Sequence, residues 1–530
     1  MTERRRGAYD MKTQVQVARN TLSRFFNSAA RGVVGLILVP ILLTKLGKEG
    51  YGLIALIGTI AGLTVLADLG LRPALTRHLA AKIVLDDWPG ASRLYSTGVG
   101  MVGLLFAPLA VGLSFATPWL MAYAKISVDF QAGAALVFRW WLPCEVMILF
   151  LIPVYTTPLI ARNRFDVRNR LDTIGALLGA GLFIGLLEFT SLRLGAWVLS
   201  RIFTTVLTVG LYRRANRQLC PNLQLRLGLF SREDFSRLWG TGRYLLGASL
   251  VQTIKYALDP LVLTGFLGVQ SVAVYQPGNS LSNYTKNFNQ AFVGQMDVLM
   301  TQLHTQGEHA KLNRLFKEGS RMNFLLGMPI VLVLTVFAEP IMRIWVGRPD
   351  RLGPEYLVAA QVLACLSLVA FTYFAEGLFW PVLVGKNHLD FIIKAEFGFA
   401  LANLALEIFL LKFTHLGIVS VALASLVERV VSMPLFLIHT IRLCGMPVGE
   451  FLRDVYAGPV AVLLGLTGVG VFLGWAVDPQ GYFMLGVCAA IVLVLWLAYS
   501  WRWGLNSDQR HRMKGVCNRV LPVKLFPHAA

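Results

Sequence analysis

A succession of long apolar runs constrains this chain more than any other feature. Fourteen of them follow one another: 22–44, 51–69, 95–117, 134–157, 171–190, 195–212, 241–266, 272–300, 322–346, 356–384, 392–411, 416–440, 454–477 and 481–501. Each is near the length, about 20 residues, at which a helix crosses the hydrocarbon of a bilayer. The runs show no two-residue alternation, and lipid offers no partner to a free backbone N–H or C=O. The sequence therefore predicts an all-α integral membrane protein of about 14 transmembrane helices. Composition agrees, since 55% of the 530 residues are hydrophobic and 15% charged, against about 25% charged in an ordinary soluble domain. A soluble enzyme, a disordered chain and a disulfide scaffold do not fit.

Lys and Arg number 49 against 29 Asp and Glu, a net charge of +20. With the N-terminus in the cytoplasm and an even number of spans, both termini are cytoplasmic. Counting span ends with the loops, the inner segments then hold 34 Lys and Arg, among them Arg162, Arg164, Arg168 and Arg170. The outer segments hold 8: Lys45, Lys48, Lys125, Arg193, Arg343, Arg348, Arg351 and Lys412. That asymmetry sets the orientation and accounts for the basic balance without nucleic acid. The first run is too long for a signal-peptide core and lacks a convincing cleavage site, so it reads as a retained span. The expected location is a bacterial plasma (inner) membrane. The six cysteines have no CxxC spacing, the histidines no HExxH pattern, and there is no Walker A loop. No metal, cofactor or ATP motor is expected.

The expected organisation is a cytoplasmic tail (1–21), an N-lobe of six spans (22–212) and a basic cytoplasmic linker (213–240). A C-lobe of six spans (241–440), an extra helix pair (454–501) and a basic tail (502–530) follow. In the linker, Leu223, Leu225, Leu227, Leu229 and Phe230 suggest a helix lying on the membrane surface. An internal repeat supports the two-lobe division. Pro40-Ile-Leu-Leu-Thr-Lys-Leu-Gly47 ends the first span, and Pro260-Leu-Val-Leu-Thr-Gly-Phe-Leu-Gly268 ends the seventh. Six spans lie between the copies, so both run the same way through the membrane, a parallel pseudo-repeat of the kind transporters use. Gly98-Val-Gly-Met-Val-Gly103 fits a dinucleotide fingerprint, but it lies inside a span with no preceding strand. It reads, like Gly58 and Gly62, as a close-packing surface between helices.

The eighth span carries Gln276, Asn279, Asn283, Lys286, Asn287 and Gln290 at spacings of three and four, hence on one helical face. Such a stripe lines a wet cavity, where amides can bond sugar hydroxyls, or it forms a polar network with other helices. Seven cations lie inside spans: Arg24, Arg31, Arg139, Arg201, Lys255, Lys286 and Arg429. Each costs about 2.5–3.5 kcal/mol on insertion scales unless it is paired or wet. Arg24 can snorkel to the inner interface, Arg429 can pair with Glu428, and Lys255 with Asp259. Arg31 and Lys286 lack a sequence-local partner and are the leading candidates for gripping an anion. Glu145, Glu188, Asp259, Glu376, Glu407 and Glu428 also lie in or near spans, and Asp259 or Glu145 is a candidate for ion or proton coupling.

Leu46-Gly-Lys-Glu-Gly-Tyr-Gly-Leu53, Ala67-Asp-Leu-Gly-Leu71 and Arg72-Pro-Ala-Leu-Thr-Arg77 resemble the start of polysaccharide-biosynthesis flippases. Their superfamily also holds multidrug and toxin extrusion antiporters and the peptidoglycan-precursor flippase. The resemblance implies alternating access between two six-helix lobes, with the first, second, seventh and eighth helices lining a cavity. It implies that cavity cations bind the diphosphate of a polyprenyl-linked oligosaccharide, a role that Arg24, Arg31, Lys255 and Lys286 fill by position. It further implies a lipid-tail groove at the extra helix pair. The partners it implies are the lipid-linked substrate, membrane lipids, and the glycan polymerase and chain-length regulator of the same pathway. No bond is made or broken. Two alternatives stand: an organic-cation antiporter on the same fold, and a membrane glycan polymerase or ligase. The latter resembles proteins with a large outer loop that this chain lacks.

Overall fold

The computed structural model describes residues 3–63, 70–240, 258–294, 296–386, 388–505 and 510. Among the described residues there are nineteen α-helices and no strand. Ten segments are long and apolar enough to cross a membrane, and they coincide with eleven of the fourteen expected spans. One of them, Leu22–Leu63, has 42 residues. A helix of that length extends about 63 Å, twice the hydrocarbon thickness, so it holds two of the expected spans. Three expected spans are not among these ten segments, so the count of fourteen is not confirmed by the described residues. Most of 241–266 lies outside the described residues. Val269–Val293 is a helix, but its amide stripe lowers its hydropathy. Leu389–Phe413 is a helix carrying Lys394, Glu396, Glu407 and Lys412.

The chain forms two compact units. The first is Met1–Ser280 with Val346–Ala359 and Asp390–Ala424; the second is Leu281–Trp345 with Ala360–Leu389 and Ser425–Ala530.

In the first unit the helix Glu3–Leu63 bends at Gly47, where φ is 69° and ψ −179°. Gly268, which ends the helix Asp259–Leu267, has φ 85° and ψ 168°. Only glycine occupies that region readily. Both copies of the sequence repeat thus close on the same backbone conformation. Beyond Gly47 the chain packs tightly: a Cβ on Gly52 would lie 2.2 Å from the Val269 carbonyl oxygen. Glu49 accepts from the backbone N–H of Ser127 and from its hydroxyl, the latter at 2.6 Å. Lys48 pairs with Glu355 at 2.7 Å, and Thr44 donates to Asp350 at 2.9 Å, which ties residues 346–359 to this unit.

One element was not assigned from the sequence, and one local expectation changes. The basic stretch after residue 70 is a helix, Leu71–Val84, whose buried Leu71, Ala74, Leu75, Leu79 and Ile83 pack on Trp88–Phe115. A Cβ on Gly98 would meet the Leu75 side chain at 2.8 Å, so that glycine serves helix packing. Gly58 and Gly62 have nothing within 4 Å of a built Cβ. The linker carries no surface helix over 223–230. It is an irregular strap with a short 3-10 turn, Leu227–Leu229, held on the Trp88–Phe115 helix. The backbone N–H groups of Gln224, Arg226 and Ser231 donate to the hydroxyls of Ser92, Ser96 and Thr97, each at 3.0 Å. Arg93 pairs at 3.0 Å with the fully buried Asp234. Satisfying its own backbone this way, the strap needs no helix.

In the second unit the helices His309–Val336, Val448–Val477 and Tyr482–Tyr499 share a core of Phe324, Met328, Phe337, Phe374 and Trp496. Trp496 donates its indole N–H to the Leu325 carbonyl at 3.0 Å. The last two of these helices are the expected extra pair.

Candidate functional site

The helix Val269–Val293 begins with a buried stretch, Ser271 to Tyr275, and then turns polar. Gln276 and Asn279 are half-buried and hydrogen-bonded to each other at 3.4 Å. Further along, Asn283, Asn287 and Gln290 are exposed, while Ser282, Thr285 and Asn289 on the opposite side are buried. Ser282 donates to the Leu366 carbonyl at 2.8 Å. The helix therefore uses its small hydroxyls for packing and presents its long amides outward. Each amide offers donors and an acceptor, the complement of a sugar hydroxyl.

Lys286 is half-buried on the same helix. Its ammonium lies 5.7 Å from the centre of the Tyr373 ring, and the Arg429 guanidinium lies 4.4 Å from that ring. Arg429 is 2% exposed; it forms an ion pair with Glu376 and donates to Thr372 at 3.0 Å. A carboxylate partner of Arg429 thus comes from the helix Tyr356–Glu376. Sequence reasoning missed Tyr373, because no local pattern joins residues so far apart.

Arg31 is exposed, at 55% for its side chain, and lies 4.0 Å from Asp172. It closes a polar seam between the first helix and Phe165–Phe189. Along that seam Asn20 donates to the Asn163 carbonyl at 3.1 Å, Asn169 to Ser23 at 3.0 Å and Thr173 to Asn27 at 3.0 Å. Asp172 also accepts from Tyr212. Arg31 has no charged partner on its own helix, as the sequence indicates, but it has one across the seam. Arg24 is exposed. Lys255 lies outside the described residues, so its pairing with Asp259 does too.

The candidate coupling carboxylates part company. Glu145 is buried and held by the guanidinium of Arg201, a structural pair. Asp259 is 9% exposed, accepts from the buried Tyr275 hydroxyl, and interacts electrostatically with Glu407. Glu407 is 1% exposed and accepts from Asn403 at 2.5 Å, while its second oxygen has no hydrogen-bond partner. Two buried carboxyls in one neighbourhood repel unless a proton or cation joins them. Asn403 and Glu407 were missed as a pair; their i, i+4 spacing within an apolar run is the signal that points to them.

Residues 145–349 match the model of a family described as polysaccharide biosynthesis protein. A comparison with curated proteins finds no match. Among solved structures, the lipid II flippase MurJ in an inward closed conformation superposes with a TM-score of 0.67 at 15% identity, covering 91% of this chain and 97% of that one. An inward-facing multidrug resistance MATE family transporter of the MOP superfamily has a TM-score of 0.64 at 15% identity, over 80% of this chain and 98% of its own. The Vibrio cholerae MATE transporter VcmN, in a mutant form, has a TM-score of 0.54 at 15% identity, over 81% of this chain and 98% of its own. The chain has the fold that MurJ and the MATE transporters share, and its middle two hundred residues match a polysaccharide biosynthesis model.

Proposed function

We propose that this protein is a flippase that carries a polyprenyl-diphosphate-linked oligosaccharide from the cytoplasmic to the outer leaflet by alternating access, for cell-surface polysaccharide. The observation that carries this reading is the polar face of Val269–Val293. A long helix in an otherwise apolar bundle presents exposed amides beside a cation. A diphosphate and its glycan cannot enter hydrocarbon unaided, because desolvating the charge is prohibitive. Amides meet the sugar hydroxyls, Lys286 and Arg31 meet phosphate oxygens, and the prenyl tail stays in lipid. The match to a polysaccharide biosynthesis family over residues 145–349 supports the substrate class. Asp259 and Glu407 supply a site whose protonation or cation binding drives the cycle.

Glycan display tests the proposal. Lys286→Ala and the double variant with Arg31→Ala insert at normal levels but lose display by tenfold or more, about the effect of one charged hydrogen bond or two. Normal display in both single variants and the double overturns it. A second reading, export of organic cations, is favoured by the buried Asp259 and Glu407. It predicts drug sensitivity, with intact glycan, in a deletion strain.

A further inference from the structure

In the first unit the helices Val128–Leu136, Leu142–Ala161 and Leu194–Leu219 border a groove of about 730 Å3. Its wall is apolar and includes Leu136, Trp140, Val198, Ile202 and Val206. Charge gathers at one end. Asp129 in the first turn of its helix and Arg193 immediately before its own both line the groove. The Arg193 guanidinium lies 6.0 Å from the centre of the Phe130 ring, which holds it at this rim. The rim thus carries one cation and one anion.

The π-helical turn Val137–Trp141 forms part of the wall. Such turns occur mostly as single bulges and often at functional sites. This one brings two consecutive tryptophans to the groove, Trp140 exposed and Trp141 buried. Trp141 is 6% exposed, and its indole N–H has no hydrogen-bond partner. Its ring meets Trp197 edge-on with centroids 5.9 Å apart. Trp197 lies four residues past Arg193, about 6 Å along the helix.

We infer that the groove binds a diacyl aminophospholipid of the bilayer. The phosphate meets Arg193 and the primary ammonium meets Asp129. One acyl chain runs along the apolar wall. A polyprenyl lipid lacks the amine, so this site is distinct from the one proposed for the transported molecule.

The test uses the full-length protein in nanodiscs with lipids that carry a diazirine on the acyl chain. Cross-links are mapped by mass spectrometry to residues 128–148 and 192–206. Phosphatidylethanolamine is expected to label these segments about threefold more than phosphatidylglycerol, the scale of an exposed charge pair. Asp129→Asn, a surface change that leaves the core untouched, removes that preference. Val198→Trp, which fills the groove, lowers all labelling. Equal labelling by every headgroup and in every variant overturns the inference. So does stronger labelling by a polyprenyl phosphate probe. Glycan display is read separately, so loss of one proposal does not decide the other.

Discussion

Tyr373 carries a cation against its ring at 4.4 Å from Arg429 and at 5.7 Å from Lys286. Both are attracted by the negative ring face, and the attraction grows where water is scarce. Arg429 has its charge balanced at close range in the core by Glu376, with both side chains no more than 3% exposed. Removing one member of such a pair leaves an uncompensated buried charge. Arg429→Met is expected to cost about 3–5 kcal/mol of stability, whereas Arg429→Met with Glu376→Met recovers most of it. Chemical denaturation of the purified variants reads both. Tyr373→Leu leaves the pair intact, frees Lys286, and lowers glycan display severalfold without a matching loss of stability. Lys286 was legible from the sequence because a lysine in a span is conspicuous. Its aromatic partner was not, since nothing in the chain order announces which ring a side chain will meet.

At the scale of the helix, close approach and capping decide the outcome. Gly52 has no room for a methyl group, with a carbonyl oxygen 2.2 Å from a built Cβ, while Gly58 has open space around it. Gly52→Ala is expected to destabilise by about 1–3 kcal/mol through overpacking. Gly58→Ala is expected to be neutral or to stabilise by up to about 1 kcal/mol through helix propensity. Thermal melts of the pair in one detergent check the contrast. Asp87 caps the helix Trp88–Phe115 through the Gly90 N–H at 2.9 Å and pairs with Lys82 at 2.8 Å. The Lys82 hydrogen bond, with that of Gly90, holds its carboxyl below the usual 3.8. A depressed carboxyl stabilises the fold above its unfolded value, and the contribution is lost as pH falls through the folded one. Asp87→Asn therefore flattens the acid limb of stability from about pH 5 downward through 3.8, as a melting series is expected to show. The repeat at Gly47 and Gly268 was readable because the conformation demands that residue. The helix Leu71–Val84 sets Arg72, Arg77 and Lys82 beside its apolar positions. The three-and-four spacing of Leu71, Leu75 and Leu79 is the signal that reveals it.

For the molecule as a whole, the sequence suffices for an all-helical membrane fold, because burying so much apolar surface in lipid leaves few other solutions. The number of crossings has support for eleven of the fourteen expected spans, since Val269–Val293 and Leu389–Phe413 are helices too polar to qualify by hydropathy alone. Charge asymmetry still predicts orientation. On a cysteine-free background, Asn163→Cys is expected to react with an impermeant maleimide only after the membrane is opened, and Ser191→Cys in intact cells. The opposite pattern reverses the assigned sidedness.

The amide-bearing helix Val269–Val293 has a consequence for how the protein is made. It falls short of the hydropathy of the ten spanning segments, and Ser282 finds its acceptor at Leu366, 84 residues downstream. During synthesis this segment must wait for company. A nascent chain arrested soon after residue 305 should leave it exposed to water, and one arrested after residue 385 should have taken it in. Biogenesis of such a membrane protein is then a matter of order of arrival, with the most specialised helix admitted only once a later one comes to shelter it.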